Sequence, residues 1–307
     1  MGLATRDAYG KTLVQLGAEN KDIVVLDADL SKSTKTADFG KAYSDRFINV
    51  GIAEQNLMGI AAGLANYGKI PFASTFAMFA TGRAFEIIRN SICYPNLNVT
   101  IAATHSGISV GEDGGSHQSV EDIALMNSLP NMEVIVPADA RETEEVIKYA
   151  AQHKGPLYIR LGRLNVDDIF DEAYTYQHGK GVQLTDGDDV TIVATGLMTA
   201  KAKEAAATLK ADGINARVIH IPTIKPIDRD IIEKAARETK FILTCEEHSV
   251  IGGLGAVVST VTSETYPTKV VKLGMYDTFG ESGTPAALLE KYGLTAENIV
   301  KIVKAHV

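Results

Sequence analysis

The chain has 307 residues, enough for two domains of ordinary size, and its 45% hydrophobic and 22% charged content is an ordinary globular mixture. A formal net charge of -8 argues against a nucleic-acid footprint, which needs clustered Lys and Arg, and leaves room only for a local basic pocket. Cys93 and Cys245 lie far apart in apolar stretches, the pattern of buried free thiols. No run of eighteen apolar residues occurs, the N-terminus lacks a signal-peptide core, and Arg6 breaks the myristoylation pattern, so a cytoplasmic location is expected.

In chain order, short β-branched runs alternate with longer segments of helical period, the pattern of strands and crossover helices in a parallel sheet. DIVVLDADL (22–30) reads as a buried strand ending in acids, and LNVTIAATH (97–105), MEVIVPAD (132–139) and PLYIRLG (156–162) as three more. Between them, AEQNLMGIAAGLANYG places Leu57, Ile60, Ala61 and Leu64 on one helical face and stops at Gly68; ARETEEVIKYAAQHKG does likewise and stops at Gly155. The pattern dissolves over 165–188, acidic and glycine-bearing, which reads as a linker with one short hairpin. A second alternation follows: strands at 190–196, 216–226, 240–248 and 268–275, helices at 199–212 and 229–238, and a helical tail with Thr295 and Glu297 near a helix start. The expected fold is α/β with two domains, 1–164 and 189–307, each a mostly parallel sheet flanked by helices.

Ligand groups in such sheets gather at the carboxyl ends of strands. The run THSGISVGEDGGSH (104–117) directly follows a strand, so His105, Asp113 and His117 should lie on that rim, while its four glycines allow close approach to a ligand. A zinc site is poorly supported, because no cysteine lies nearby and no fourth ligand is in view; a serine hydrolase lacks the G-x-S-x-G elbow. A second candidate is RFINVGIAEQNLMG (46–59), where Glu54 opens a helix of apolar and small residues after an apolar strand. Burial there would place its carboxyl in a protonation equilibrium that catalysis can use. The third is FASTFAMFATGRAFEIIRN (72–90), with Phe76 and Phe79 three apart; alone, such spacing reads as core.

Taken together and in this order, GIAEQN, STFAMF and THSGISVGEDGGSHQ resemble the pyrimidine-binding half of thiamine-diphosphate enzymes, and ATHSGISVGEDG is most similar to transketolase. The resemblance extends through ATR (4–6), DADLSKS (27–33), IRLGR (159–163) and EEHSVIGGLG (246–255), the last in what resembles the transketolase C-terminal domain. It implies that Glu54 hydrogen-bonds N1′ of the cofactor's aminopyrimidine, that Phe76 and Phe79 pack on that ring, and that Asp29 lies near cofactor and substrate. His105 and His117 are implied to hydrogen-bond substrate oxygens as catalytic groups, Asp113 to hold the neighbouring hydroxyl, and Arg6, Ser33 and Arg163 to hold a sugar phosphate. A third aromatic of many transketolases falls at Gly82. The neighbours of both histidines also differ, with THSGI and GGSHQ where many transketolases read THDSI and GPTHQ.

The resemblance is to the second subunit of a split transketolase. It implies thiamine diphosphate with Mg²⁺, whose ligands are expected in a separate N-terminal diphosphate-binding subunit, and an α2β2 heterotetramer with sites at subunit interfaces. Sugar phosphates are the implied substrates. The nearer rival is the β subunit of a 2-oxo acid dehydrogenase, to which IRLGR and EEHSVIGGLG are also similar; a 1-deoxyxylulose-5-phosphate synthase-like enzyme matches less well at 104–112. A non-catalytic interaction protein is the reading from another class, and the presence of Glu54 weighs against it.

Overall fold

Strands that are apolar at every position need cover on both faces, and the computed structural model, which describes residues 2–307, supplies it. The first sheet holds β1 (Ile23–Asp27), β2 (Phe47–Asn49), β3 (Ile70–Ser74), β4 (Thr100–Ala103), β5 (Glu133–Ile135) and β6 (Leu157–Arg160). The second holds β7 (Val182–Thr185), β8 (Val190–Ala194), β9 (Ala216–His220), β11 (Ile242–Ser249) and β12 (Val270–Met275). Every residue of β1, β4, β6, β8 and β9 is buried. With β10 (Thr223–Lys225) joining the first sheet, the strand orders are β10-β5-β6-β4-β3-β1-β2 and β12-β11-β8-β9-β7, parallel except at β10 and β7, which pair antiparallel at the edges. The α/β fold of two mostly parallel, helix-flanked sheets is therefore the one expected.

Two expectations change. The run 216–226 is not one strand: β9 stays in the second sheet, but the chain turns at Ile221–Pro222 and β10 (Thr223–Lys225) crosses to the edge of the first sheet, where it pairs with β5. Val136 N–H donates to the Pro222 carbonyl at 2.7 Å, so the crossing strand satisfies an edge that would otherwise lie open. The stretch 165–188 holds no hairpin. Its β7 pairs with β9, and the residues before it pack on the first domain: Ile169 and Phe170 N–H both reach Asp139, and the Tyr174 hydroxyl reaches Glu142 at 2.6 Å. Acidic composition there reflects solvent on one face only.

Local signals explain the helices. Asp139 caps the helix Ala140–Ala150 by accepting from Glu142 N–H at 2.8 Å; Asp228 caps Arg229–Glu238, and Thr295 caps the last helix, Ala296–Lys304. The helix Glu54–Asn66 buries Leu57 and Ala61, half-buries Ile60 and Leu64, and ends before Gly68 in the left-handed region. Cys93 and Cys245 are buried free thiols. Among the described residues no helix is long and apolar enough to cross a membrane.

The two halves interlock through buried polar groups. His220 of β9 meets Glu142 at 2.7 Å, both fully buried. Arg160 of β6 makes a two-pronged contact with Asp122, Nε to Oδ2 at 2.7 Å and Nη2 to Oδ1 at 3.1 Å, while Nη2 also donates to the main-chain oxygen of Glu247 in β11 at 2.9 Å. The Tyr158 hydroxyl completes the Asp122 carboxylate at 2.6 Å. Arg160 holds the Asp122 carboxyl below its ordinary pKa against the opposing effect of burial. Breaking a buried pair from one side leaves a charge without its partner. Asp122→Ala is therefore expected to lower unfolding free energy by about 3–5 kcal/mol in urea denaturation; a loss no larger than a surface pair gives, under about 1 kcal/mol, would refute the pair's structural role.

Candidate active site

The carboxyl edge of the first sheet gathers the candidate residues in the order of its strands. β1 lies between β2 and β3, so the connections leaving β1 and β3 run in opposite directions, which opens a crevice at that edge. After β2 comes Glu54, after β1 Asp29, after β3 Phe76 and Phe79, after β4 His105, and after β6 Arg163.

Glu54 opens its helix with its side chain only 2% exposed, where the helix N-terminus favours a negative charge. Arg83 reaches it with Nη1 at 2.8 Å from Oε2, and the same guanidinium lies 5.0 Å from the centre of the Phe79 ring. The backbone over Phe79–Arg83 is a stretch of π-helix, a form frequent at functional sites, and it ends on this arginine. Arg83 was not singled out in the sequence; the available signal was that a buried carboxylate demands a counter-charge. At Gly82 an added Cβ would meet the Met78 methyl, so a flexible side chain fills the space beside this position.

β3 and β4 continue past their ends as a bridge between Phe76 and Thr104, with Ala77 N–H on the Thr104 carbonyl at 2.7 Å. That bridge sets the Phe76 ring face to face with His105, centroids 3.8 Å apart. Phe79 stacks with Phe76 at 6.0 Å, and His117 meets the Phe79 ring edge-on at 5.2 Å. His105 occupies the left-handed region at φ 57°, an uncommon conformation for a non-glycine residue that tends to occur at functional sites.

The hydrogen bonds assign its tautomer. Arg6 Nη1, a donor only, lies 3.2 Å from His105 Nε2, so Nε2 accepts and Nδ1 carries the hydrogen toward Thr104 Oγ1 at 2.9 Å. Burial, reinforced by the Arg6 and Arg163 charges, pushes the His105 pKa down to about 3. His105 is thus a neutral ring at physiological pH.

Arg6 also donates from Nη1 to the Ser33 carbonyl at 3.0 Å, so Ser33 joins the cluster through its main chain. Arg6 Nε is buried without a partner, a donor left for an incoming acceptor. Arg163 is held by Glu112 at 2.8 Å and by the Val110 carbonyl. An ion pair this exposed contributes about 0–1 kcal/mol, so an incoming anion can displace it. A cleft of about 680 Å³ opens beside Arg6 and Arg163, lined also by Leu197, Lys201 and Pro285 of the second half.

The outlying residues are less gathered. Asp29, at φ 65°, is exposed and trades hydrogen bonds with Asn49, its N–H and its Oδ1 each at 3.1 Å. Asp113 is exposed on the glycine-rich loop, and His117 is half-buried with Nδ1 3.0 Å from Ser116 Oγ. Neighbouring Asp27 is buried, accepting from Thr34, Thr36 and Leu30 N–H; it braces the turn that carries Asp29. Among the described residues no three His, Cys, Asp or Glu side chains stand together as a metal site.

The depressed pKa of His105 has a measurable consequence. Between its folded value near 3 and the ordinary 6.5 the unfolded chain binds the proton more readily, so this group's stabilising contribution is whole above pH 6.5 and fades as pH falls toward 3. The His105 ring protons in an NMR titration should therefore stay flat from pH 8 to pH 5, and a midpoint near 6.5 would refute the buried, arginine-facing environment. Arg6→Met should move the midpoint upward.

Comparison with known proteins identifies the family. The family described as transketolase, pyrimidine binding domain, matches residues 1–168, and transketolase, C-terminal domain, matches 179–299. A transketolase C-terminal section from Methanocaldococcus jannaschii is 51% identical over 299 residues, spanning 96% of this chain and 94% of that one. A solved split-gene transketolase, described as an inactive β4 tetramer, superposes with a TM-score of 0.91 at 60% identity, covering 99% of this chain and 98% of that one. Mouse transketolase is 40% identical across 98% of this chain, which spans only 49% of the mouse protein. With both domains matched in order along one continuous chain, this protein belongs to the transketolase family.

Proposed function

We propose that the chain is the C-terminal subunit of a split transketolase, which with a separate N-terminal subunit moves a two-carbon ketol unit from a ketose phosphate to an aldose phosphate. The observation that carries the reading is Glu54: a buried carboxylate beside an aromatic pair, facing the same edge as a neutral histidine and two arginines. Near-complete mutual coverage with a C-terminal section and with the split-gene relative supports the division into two subunits. The β4 assembly described as inactive for the split-gene relative supports dependence on that partner.

The residues fit one half of the implied cofactor. Glu54 and the Phe76–Phe79 pair offer a carboxylate and an apolar face suited to an aminopyrimidine ring, and the resemblance assigns the diphosphate and its Mg²⁺ to the partner. Bound thiamine diphosphate supplies the electron sink that cleavage beside a ketose carbonyl requires. Glu54 holds a proton at the ring nitrogen in a site shielded from water, with Arg83 surrendering or sharing its carboxylate oxygen. Neutral His105 takes a hydrogen bond from a sugar hydroxyl at Nε2 as Arg6 turns to the phosphate; His117 and Asp113 orient the oxygens on the other side. Arg163 trades Glu112 for the same phosphate. Asp29 and Ser33 shape the wall between cofactor and phosphate.

Mixing the chain with N-terminal subunits from its own source, thiamine diphosphate and Mg²⁺ should give ketol transfer from xylulose 5-phosphate to ribose 5-phosphate. Turnover of a 2-oxo acid instead would replace this reading with the dehydrogenase one. In the assembled enzyme Glu54→Gln should abolish turnover with the fold retained, and full activity would refute its role. Arg163→Ala should weaken phosphorylated substrates by on the order of 10- to 100-fold while sparing unphosphorylated ones; equal losses on both would show that it binds no phosphate.

A further inference from the structure

The loop that carries His105 is gripped from the far side by the C-terminal half. Within the first domain it is tied at Ser106, whose N–H and hydroxyl both reach the Leu161 carbonyl, and at Gly107, whose N–H reaches Ser119 at 2.8 Å. At its next turn the partner changes. Ser109 N–H donates to Glu247 Oε1 at 2.6 Å, a contact between residues 138 positions apart, and Glu247 belongs to β11 of the second sheet.

Gly107 fits this carboxyl closely. A Cβ there would lie 2.2 Å from the Glu247 carboxyl carbon and 2.3 Å from Oε1, and its φ of 76° already favours glycine. The carboxyl therefore occupies the space under Gly107 and holds the backbone two residues from His105. Glu247 is itself fixed, because its main-chain oxygen accepts from Arg160 Nη2 and because β11 continues past it, Ser249 N–H meeting the Val120 carbonyl at 2.8 Å. Burial pushes the Glu247 carboxyl up to about 7, opposed by the Arg160 charge and the Ser109 N–H. An acid kept at that cost, where a leucine would pack without it, points to the hydrogen bond it makes.

We propose that Glu247 is a positioning residue of the active site: from the C-terminal domain it anchors the Gly107–Ser109 backbone and so fixes His105 against Phe76 and Arg6. The inference rests on the transketolase reading for its catalytic consequence, but the anchoring itself does not. A left-handed, non-glycine residue such as His105 persists only where its surroundings over-determine it, and the Ser109 anchor is a constraint of that kind supplied by the second domain.

Amide hydrogen exchange on the wild-type chain tests the anchor directly. The Ser109 amide should exchange slowly, and exchange at the rate of a free amide would overturn the proposal without any variant. Glu247→Ala should speed exchange across 106–111 by about tenfold or more while leaving the β8 amides, Val190–Ala194, as they were; Glu247→Gln, which keeps an acceptor oxygen, should restore protection.

In the assembled enzyme with thiamine diphosphate and Mg²⁺, Glu247→Ala should lower kcat on the order of 10- to 100-fold with the acceptor KM little changed, as a misplaced catalytic group does. Glu247→Gln should recover most of that loss. An alanine variant with unchanged exchange and kcat, or a glutamine variant as impaired as alanine, would overturn the inference. Absence of ketol transfer in the wild-type assembly would instead overturn the functional reading, with the exchange data still deciding the anchor.

Discussion

Arg160 and Asp122 form the contact on which the arrangement of the molecule depends. The guanidinium projects from β6, closes a two-pronged pair with a carboxylate at the start of the helix Asp122–Asn127, and reaches on to the Ser119 and Glu247 carbonyls. A charge this deep is tolerable only when paired, and its Nε and Nη2 reach four acceptor oxygens, two of them on the Asp122 carboxylate. The C-terminal end of the glycine-rich loop and the strand from the second domain are thereby referred to one side chain.

Electrostatics then divides the site into regions of different character. Around His105, burial and two arginine charges hold the imidazole neutral. At Glu54 the opposite problem, a carboxylate almost without solvent, is answered by Arg83 lying over Phe79. Toward the cleft, Arg163 is half-buried and paired with an exposed Glu112, and Arg6 keeps a buried donor free. Groups that must stay fixed are buried with matched partners, whereas those that must exchange partners face the opening. That gradient suits the proposed reaction, in which a coenzyme ring is held while sugar phosphates come and go.

The two halves are fused more closely than a pair of beads on a string. A strand of the second half completes the first sheet, His220 meets Glu142 at full burial, and Glu247 supports the loop of the first domain. The C-terminal half thus becomes part of the scaffold of the candidate site rather than an appendage.

Much of this was written in the chain itself. Uninterrupted aliphatic runs fixed the buried parallel strands, because a strand covered on both faces has no polar side to show; caps at Asp139, Asp228 and Thr295 fixed helix starts, because those side chains satisfy orphan N–H groups wherever they occur. The placing of Glu54 and His105 at strand ends followed from the same patterning, whereas the spacing of Phe76 and Phe79 read, alone, as core. Other features depended on contacts between distant residues, which no local pattern encodes. Nothing around Thr223 announces that its strand leaves one sheet for the other, since both edges offer the same hydrogen bonds and only the packing of the finished domains selects one. Nor does any spacing tell Glu247 from Glu246, adjacent acids of which one accepts from the helix start at Leu254 and Gly255 and the other from the glycine-rich loop. Sequence determined which groups are present and which elements carry them. Tertiary structure decided which charges meet, because burial and partnership are properties of the assembled interior.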